Sequence, residues 1–291
     1  MDSRVIISAS QAIGNGVEAQ DCLFELKNIG GDGVFWQHQE LPEGVGIWCP
    51  LSDWKKAILT HTGISILEQV PEDFLPCITA AVLEVAGDWL VEGVKEIPEI
   101  LTLENNIYPV FTLAGIRCVL IDWPMEQWKS MVAHWAPFTG ESPEIELSLI
   151  AGYKTQTSQE PSLPSKGAGL WLDHCTDVEQ GEAILWWQGP IAKVKLNEEF
   201  EAGNGDMTIE EIMPETDFHY PPLLAELGKV KLSLADIGTM MVGDDITIKL
   251  IQNGKVSLCR QPNELHQETL ALVSLLMSPS GMLAKVESNE C

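Results

Sequence analysis

LLAELGKVKLSLADIGTMMVGDDITIKLIQNGKVSL, residues 223–258, alternates apolar and polar positions twice, with turn formers between the two runs. Leu232 and Leu234 alternate with Lys231, Ser233 and Ala235, the period of a strand buried on one face. Ile246, Ile248 and Leu250 alternate with Thr247 and Lys249, and Asn253-Gly254 is the pair that a tight hairpin turn favours. The spacing predicts two or three short strands around one weak helical turn, a small β module at the end of the chain.

An upstream stretch repeats the pattern. Residues 169–196, GLWLDHCTDVEQGEAILWWQGPIAKVKL, align without a gap on residues 231–258 at a constant offset of 62. Seven positions are identical: Leu170/Leu232, Leu172/Leu234, Gly181/Gly243, Ile184/Ile246, Lys193/Lys255, Val194/Val256 and Leu196/Leu258. The matches fall on alternating apolar positions and on a glycine before a strand, which would specify the same pleat and turn twice. Leu170, Leu172, Ile184, Val194 and Leu196 are therefore expected to hold positions equivalent to Leu232, Leu234, Ile246, Val256 and Leu258, with Ile248 in the same core. Gly181, Gly228, Gly243 and Gly254 are expected at turns or strand starts.

The run Ala225-Glu226-Leu227-Gly228, then Val230–Leu234, Gly243-Asp244-Asp245-Ile246 and the Asn253-Gly254 pair resembles the SpoA (surface presentation of antigens) domain over residues 220–286. That domain occurs in flagellar rotor switch proteins and in the cytoplasmic ring, or sorting platform, of type III secretion systems. The resemblance implies a non-enzymatic scaffold at the cytoplasmic face of a bacterial inner membrane, in which SpoA modules pair within a chain and between copies. The partners it implies are the stalk protein of the export ATPase, an adaptor to the inner-membrane ring and chaperone-bound substrates. It also implies a separate C-terminal product, for which Met207 or Met213 could serve as internal start. A flagellar switch protein would carry a response-regulator binding motif near its N-terminus, and none is recognisable here. A generic acidic adaptor is the further alternative.

The bulk of the chain agrees with a binding protein. At 291 residues it has room for two or three domains. Its net charge of −26 argues strongly against nucleic acid as a partner, because affinity there comes mainly from neutralising phosphates, and it favours basic proteins. Residues 198–217 hold eight acids and no base, whereas residues 223–286 hold six of each. No apolar run is long enough to span a bilayer, and the start MDSRVIISASQAIGNG lacks the features of a secretory signal. Seven cysteines without a C-x-x-C pair argue against a disulfide framework or a zinc site. A reducing cytoplasm is the expected location.

The expected organisation is an α+β domain over residues 1–140, a first SpoA-like module at 144–197 with a mobile loop at 156–169, an acidic linker at 198–217, and a second module at 218–287. Within the first domain, strands are expected at Val34–Trp36 and Gly46–Cys49, and a helix capped by Ser52. A long helix is expected over Pro71–Val94, where Phe74, Leu75, Ile78, Val82, Val85 and Trp89 share a face. A turn is expected at Asn105-Asn106, and a helix after Asp122 with Trp128, Val132 and Trp135 on one stripe.

Two small constellations could carry chemistry. Asp173-His174-Cys175 holds the residue types of a cysteine nucleophile, but neighbours on a strand point to opposite faces; the expectation is Cys175 inward and His174 outward. Gly243-Asp244-Asp245 is read as a turn rather than a magnesium site. No phosphate-binding glycine motif is present, and the remaining histidines show no metal spacing. No cofactor, metal or catalytic residue is expected.

Overall fold

The chain divides into two compact units, Ser3–Pro143 and Glu144–Cys291. The computed structural model describes residues 3–66, 69–84, 88–95, 97–158, 165–197, 204–263, 266–278 and 281–289. It is a mixed α and β protein rich in strands.

In the first unit, α1 (Ser3–Ile13) leads to β1 (Val17–Ala19), β2 (Cys22–Gln37) and β3 (Gly46–Pro50). Then come α2 (Leu51–Thr62), α3 (Leu75–Leu83), α4 (Asp88–Gly93), β4 (Glu99–Leu113), β5 (Ile116–Ile121), α5 (Met125–Val132) and β6 (Ala136–Pro137). β2 pairs with β3 and β4, β4 with β5, and β5 with β3, so four strands close a ring. One face of that ring carries the cluster of Ile29, Phe35, Trp48, Leu103, Tyr108, Val110 and Val119. The other face presents Phe24 and Phe111, stacked at 4.1 Å, and Trp36, which meets Trp54 of α2 at 5.0 Å. Trp128 of α5 closes over Phe24 at 5.0 Å. The tryptophans thus seal helices onto the ring, burying large rings in favourable edge or offset geometry.

Several local expectations in this unit are corrected. Val34–Trp36 is a strand as expected, but it is only part of the 16 residues of β2, whose register on β4 shifts between Ile29 and Gly31. The helix expected over Pro71–Val94 is a 3-10 turn at Glu72–Phe74 followed by α3 and α4; residues 85–87 lie outside the described residues. Phe74, expected on its buried stripe, is exposed. Ser52 does not cap α2, which starts after Pro50; its hydroxyl donates to Asp53 instead. Asn105-Asn106 lies within β4, and the chain reverses at Ala114-Gly115, both at positive φ.

The second unit contains β7 (Glu144–Lys154), β8 (Gly169–Trp171), β9 (His174–Cys175), β10 (Glu182–Trp186), β11 (Pro190–Leu196) and β12 (Asn204–Ile212). β13 (Leu223–Ser233), α6 (Leu234–Thr239), β14 (Asp245–Asn263), β15 (His266–Ser278) and β16 (Gly281–Asn289) complete it. Following hydrogen bonds from strand to strand, β7, β10, β11, β12, β14 and β13 form a closed ring. The far half of β14 leaves that ring and continues through β15, β16 and β8, and β9 returns the chain to β7, closing a second ring. β14 serves both rings because its register on β13 shifts: Gly228 faces Gln252 and Glu226 faces Ser257, so residues 253–256 lie opposite Leu227 alone. A bulge of this kind bends a strand. Asn253-Gly254 therefore sits in a bulge within β14, and the hairpin turn expected there is absent.

The acidic linker is corrected as well. Residues 204–212 are a strand, paired with β11 and β14, with Met207 and Ile209 fully buried. Asp206, Glu210 and Glu211 occupy partly or fully exposed positions between the apolar ones, which hid the alternation. Of the loop expected at 156–169, residues 159–164 lie outside the described residues, and Gly169 belongs to β8.

Candidate functional site: the seam between β7 and β13

β7 and β13 are each the first strand of their half of the second unit, and they pair antiparallel from Leu223↔Lys154 to Ser233↔Glu144. The register is close to two-fold symmetric: Gly152 of β7 faces Ala225 of β13, and Gly228 of β13 faces Leu149 of β7. Gly228 is thus a buried mid-strand residue, not a turn.

One face of the seam is apolar. Leu147, Leu149, Val230 and Leu232 point into the first ring with Val194, Met207, Ile209 and Ile248, all buried. Ile246, opposite Met207, and Leu196 share this interior but are half-buried. Leu172, Leu223, Ala225, Leu258, Ala271 and Val273 fill the second ring, with Leu170 and Val256 packed against them. Where the two interiors meet there is a cavity of about 350 Å³, walled by Leu149, Leu196 and Leu250 on one side and by Val178, Leu227 and Val256 on the other. Glu182 at its edge is committed to Lys193 at 2.9 Å and to the Asp177 amide, and these hydrogen bonds hold its carboxyl below the ordinary range.

The opposite face of the seam holds a buried polar cluster. Glu226, 3% exposed, accepts hydrogen bonds of 2.6 Å from Ser148 of β7 and from the Gln267 side-chain amide of β15. Lys229 binds Glu146 at 2.8 Å; burial pulls its ammonium down, but the bond to Glu146 and the nearby Glu226 charge hold it above its ordinary value. Burial pushes the Cys259 thiol up to about 11, with the Glu226 charge adding to it. An acid this deep in an apolar strand costs free energy unless it is hydrogen-bonded, and here one register brings two donors to its Oε2. Glu226 stands within the Ala225–Gly228 motif, and the motif does not by itself reveal this role. The available signal was a single acid inside the apolar run Leu223-Leu224-Ala225-Glu226-Leu227.

The equivalence at offset 62 is overturned. Leu170 lies in β8, which pairs with β16, whereas Leu232 lies in β13 between β7 and β14. Leu172 follows a strand, while Leu234 opens α6, capped by the Ser233 hydroxyl. Ile184 packs outside the first ring with Ile150, Tyr153, Trp186 and Leu224, and Ile246 points inside it. Gly181 and Gly243 do agree, both at positive φ just before a strand. Gly181 is obligatory, since a Cβ there would come within 2.8 Å of the Leu196 carbonyl. Met213 is half-buried beside the Ile184 cluster, and Met207 is buried in β12.

No reactive arrangement joins Asp173, His174 and Cys175. Asp173 binds Lys154 at 2.6 Å and Thr155, and the His174 ring stacks on Tyr153 at 4.6 Å. Cys175, expected inward, is exposed alongside His174. Asp244 accepts from the Met241 amide and Asp245 from the Thr208 hydroxyl, as turn residues do. Among the described residues no group of three His, Cys, Asp or Glu side chains is placed to hold a metal ion. The seam joins strand to strand within the unit. Compared with known proteins, the chain matches no family model and no curated protein.

Proposed function

We propose that the protein is a non-enzymatic scaffold of a type III protein secretion apparatus, part of the sorting platform at the cytoplasmic face of a bacterial inner membrane. Its C-terminal unit brings two SpoA-like halves together and offers assembled surfaces to the stalk protein of the export ATPase, to the ring adaptor and to chaperone-bound substrates. The observation that carries the reading is the seam, where the first strands of the two halves pair along their length in near two-fold register. The charge of −26 supports basic protein partners. No helix among the described residues is long and apolar enough to cross a membrane, so attachment to the membrane base runs through other components in this reading.

The second reading is a generic acidic adaptor, favoured by the loss of the offset-62 equivalence. Co-expression of the tagged chain with a stalk protein and export ATPase from the same genome separates the two. Co-purification of both, lost on double substitution of Ser148 and Glu226, supports the platform. Failure of both to co-purify leaves the adaptor.

A further inference from the structure

The turn between α6 and β14 displays Met241 and Val242 at 65% and 63% exposure. This is not a loose loop. The Asp244 carboxylate accepts from the Met241 amide at 2.8 Å, and the Asp244 amide donates back to the Met241 carbonyl at 3.1 Å. Gly243, at φ 94°, donates to the Ile209 carbonyl at 2.8 Å, and the Ile209 amide donates to Asp244 at 2.9 Å. At the other end, α6 is anchored by buried Leu234 and Ile237. Two large apolar side chains are therefore held in water by hydrogen bonds on both sides, with little ordering left to lose on binding.

The surroundings select the partner. Asp244 and Asp245 follow the tip directly, and Glu210 and Glu211 follow Ile209 on the strand to which the tip is pinned. Lys193, across from Glu211 on β11, is already engaged by Glu182 and Glu210 at 2.9 and 3.3 Å. An anionic bilayer, a common target of exposed apolar turns, is repelled by such a collar. We infer that the Met241–Val242 tip is a docking point for a basic amphipathic protein segment, whose apolar face receives the two side chains while its Lys or Arg residues meet Asp245 and Glu211. This surface is not part of the seam, and its test does not depend on the secretion reading.

The test uses the full chain with ¹³C-methyl-labelled methionine and two synthetic helical peptides of equal length, one patterned with leucine and lysine, the other with leucine and glutamate. The leucine–lysine peptide is expected to shift the Met241 methyl resonance and to bind about tenfold more tightly than its acidic counterpart, the difference shrinking with salt. Replacing both tip residues, Met241→Ser with Val242→Ser, is expected to weaken binding about fivefold, as is Glu211→Lys, without changing Tm. A silent Met241 resonance in the unsubstituted protein overturns the inference, whatever the variants do. So do equal binding of both peptides, undiminished binding by the tip variant, or a Met241 shift produced by anionic vesicles.

Discussion

Ser148 Oγ donates a 2.6 Å hydrogen bond to Glu226 Oε2 across the β7/β13 seam, and both side chains are buried. Glu226→Ala leaves the Ser148 hydroxyl and the Gln267 amide without their acceptor, and the expected loss is about 3 kcal/mol. Glu226→Gln, which keeps one acceptor oxygen, is expected to lose less. Urea titration of the full chain measures this as a fall in midpoint; equal stability of the alanine variant and the parent would mean that the cluster does not hold the seam.

Ile248 and Ile246 rank differently from what alternation alone suggests. Both face the first ring, but Ile248 is 2% exposed and Ile246 half-buried at the ring's open end. Ile248→Asp places a carboxyl in the core and is expected to cost several kcal/mol, on the order of 3–5. Ile246→Asp can turn its carboxyl toward water and is expected to cost less than half as much. Equal effects in thermal unfolding would contradict the placement.

Asp53 contributes to the acid stability of the first unit. Burial raises its pKa, but two hydrogen bonds from the Arg117 guanidinium at 2.8 and 2.9 Å and one from the Arg117 amide outweigh that and hold the carboxyl below the ordinary aspartate range. A folded-state pKa below the unfolded one contributes stability that is complete above the unfolded value and is lost as pH falls through the folded one. The first unit is therefore expected to weaken below about pH 4, partly through this group. Asp53→Asn should flatten that limb of the curve as read by tryptophan fluorescence. An unaltered acid limb would assign the loss to other carboxyls.

The thiols are expected to sort by burial. Burial pushes Cys22 up to about 12, and Cys49 is raised by its hydrogen bond to Cys118 together with burial. Cys77 and Cys175 are exposed. Iodoacetamide under native conditions should label Cys77 and Cys175 and spare Cys22, Cys49, Cys118 and Cys259 until denaturant is added. Native labelling of Cys49 or Cys118 would mean that the pairing of β3 with β5 opens.

A fragment beginning at Met213 lacks β7 and β12, the strands that flank β13 and the near half of β14. It is expected to self-associate, a second copy of β13 taking the place of β7. Light scattering at micromolar concentration checks this, and a well-folded monomer would refute it. Whether cells make such a product from Met207 or Met213 is tested by blotting a C-terminal tag with each methionine replaced.

How far the sequence could be read depended on whether the deciding contact was local. β13 is legible because Leu232 alternates with Lys231 and Ser233, and α5 because Trp128 and Val132 repeat at helical spacing. Leu234 was misassigned to a strand because Ser233 caps a helix at that residue. Asn253-Gly254 kept its turn-forming chemistry, but β13 pairs with β14 both before it, through Gln252, and after it, from Ser257, so the pair lies in a bulge. β12 was hidden by its acids, and its two buried residues gain meaning only opposite β11 and β14. The seam was unreadable in any window, since Ser148 and Glu226 lie 78 residues apart.

The first ring of the C-terminal unit is closed by strands drawn from both ends of that unit, β7 with β13 and β12 with β14. On the ribosome this sets an order of events. A nascent chain that has emerged only as far as Ile212 holds four of the six staves, β7, β10, β11 and β12, and nothing yet exists to cover the outer two. Until β13 and β14 clear the exit tunnel, those bare backbones can pair with a neighbouring chain on the same message as readily as with their own. The rate of elongation between Ile212 and Asn263 therefore decides how long the growing polypeptide needs shielding by a chaperone.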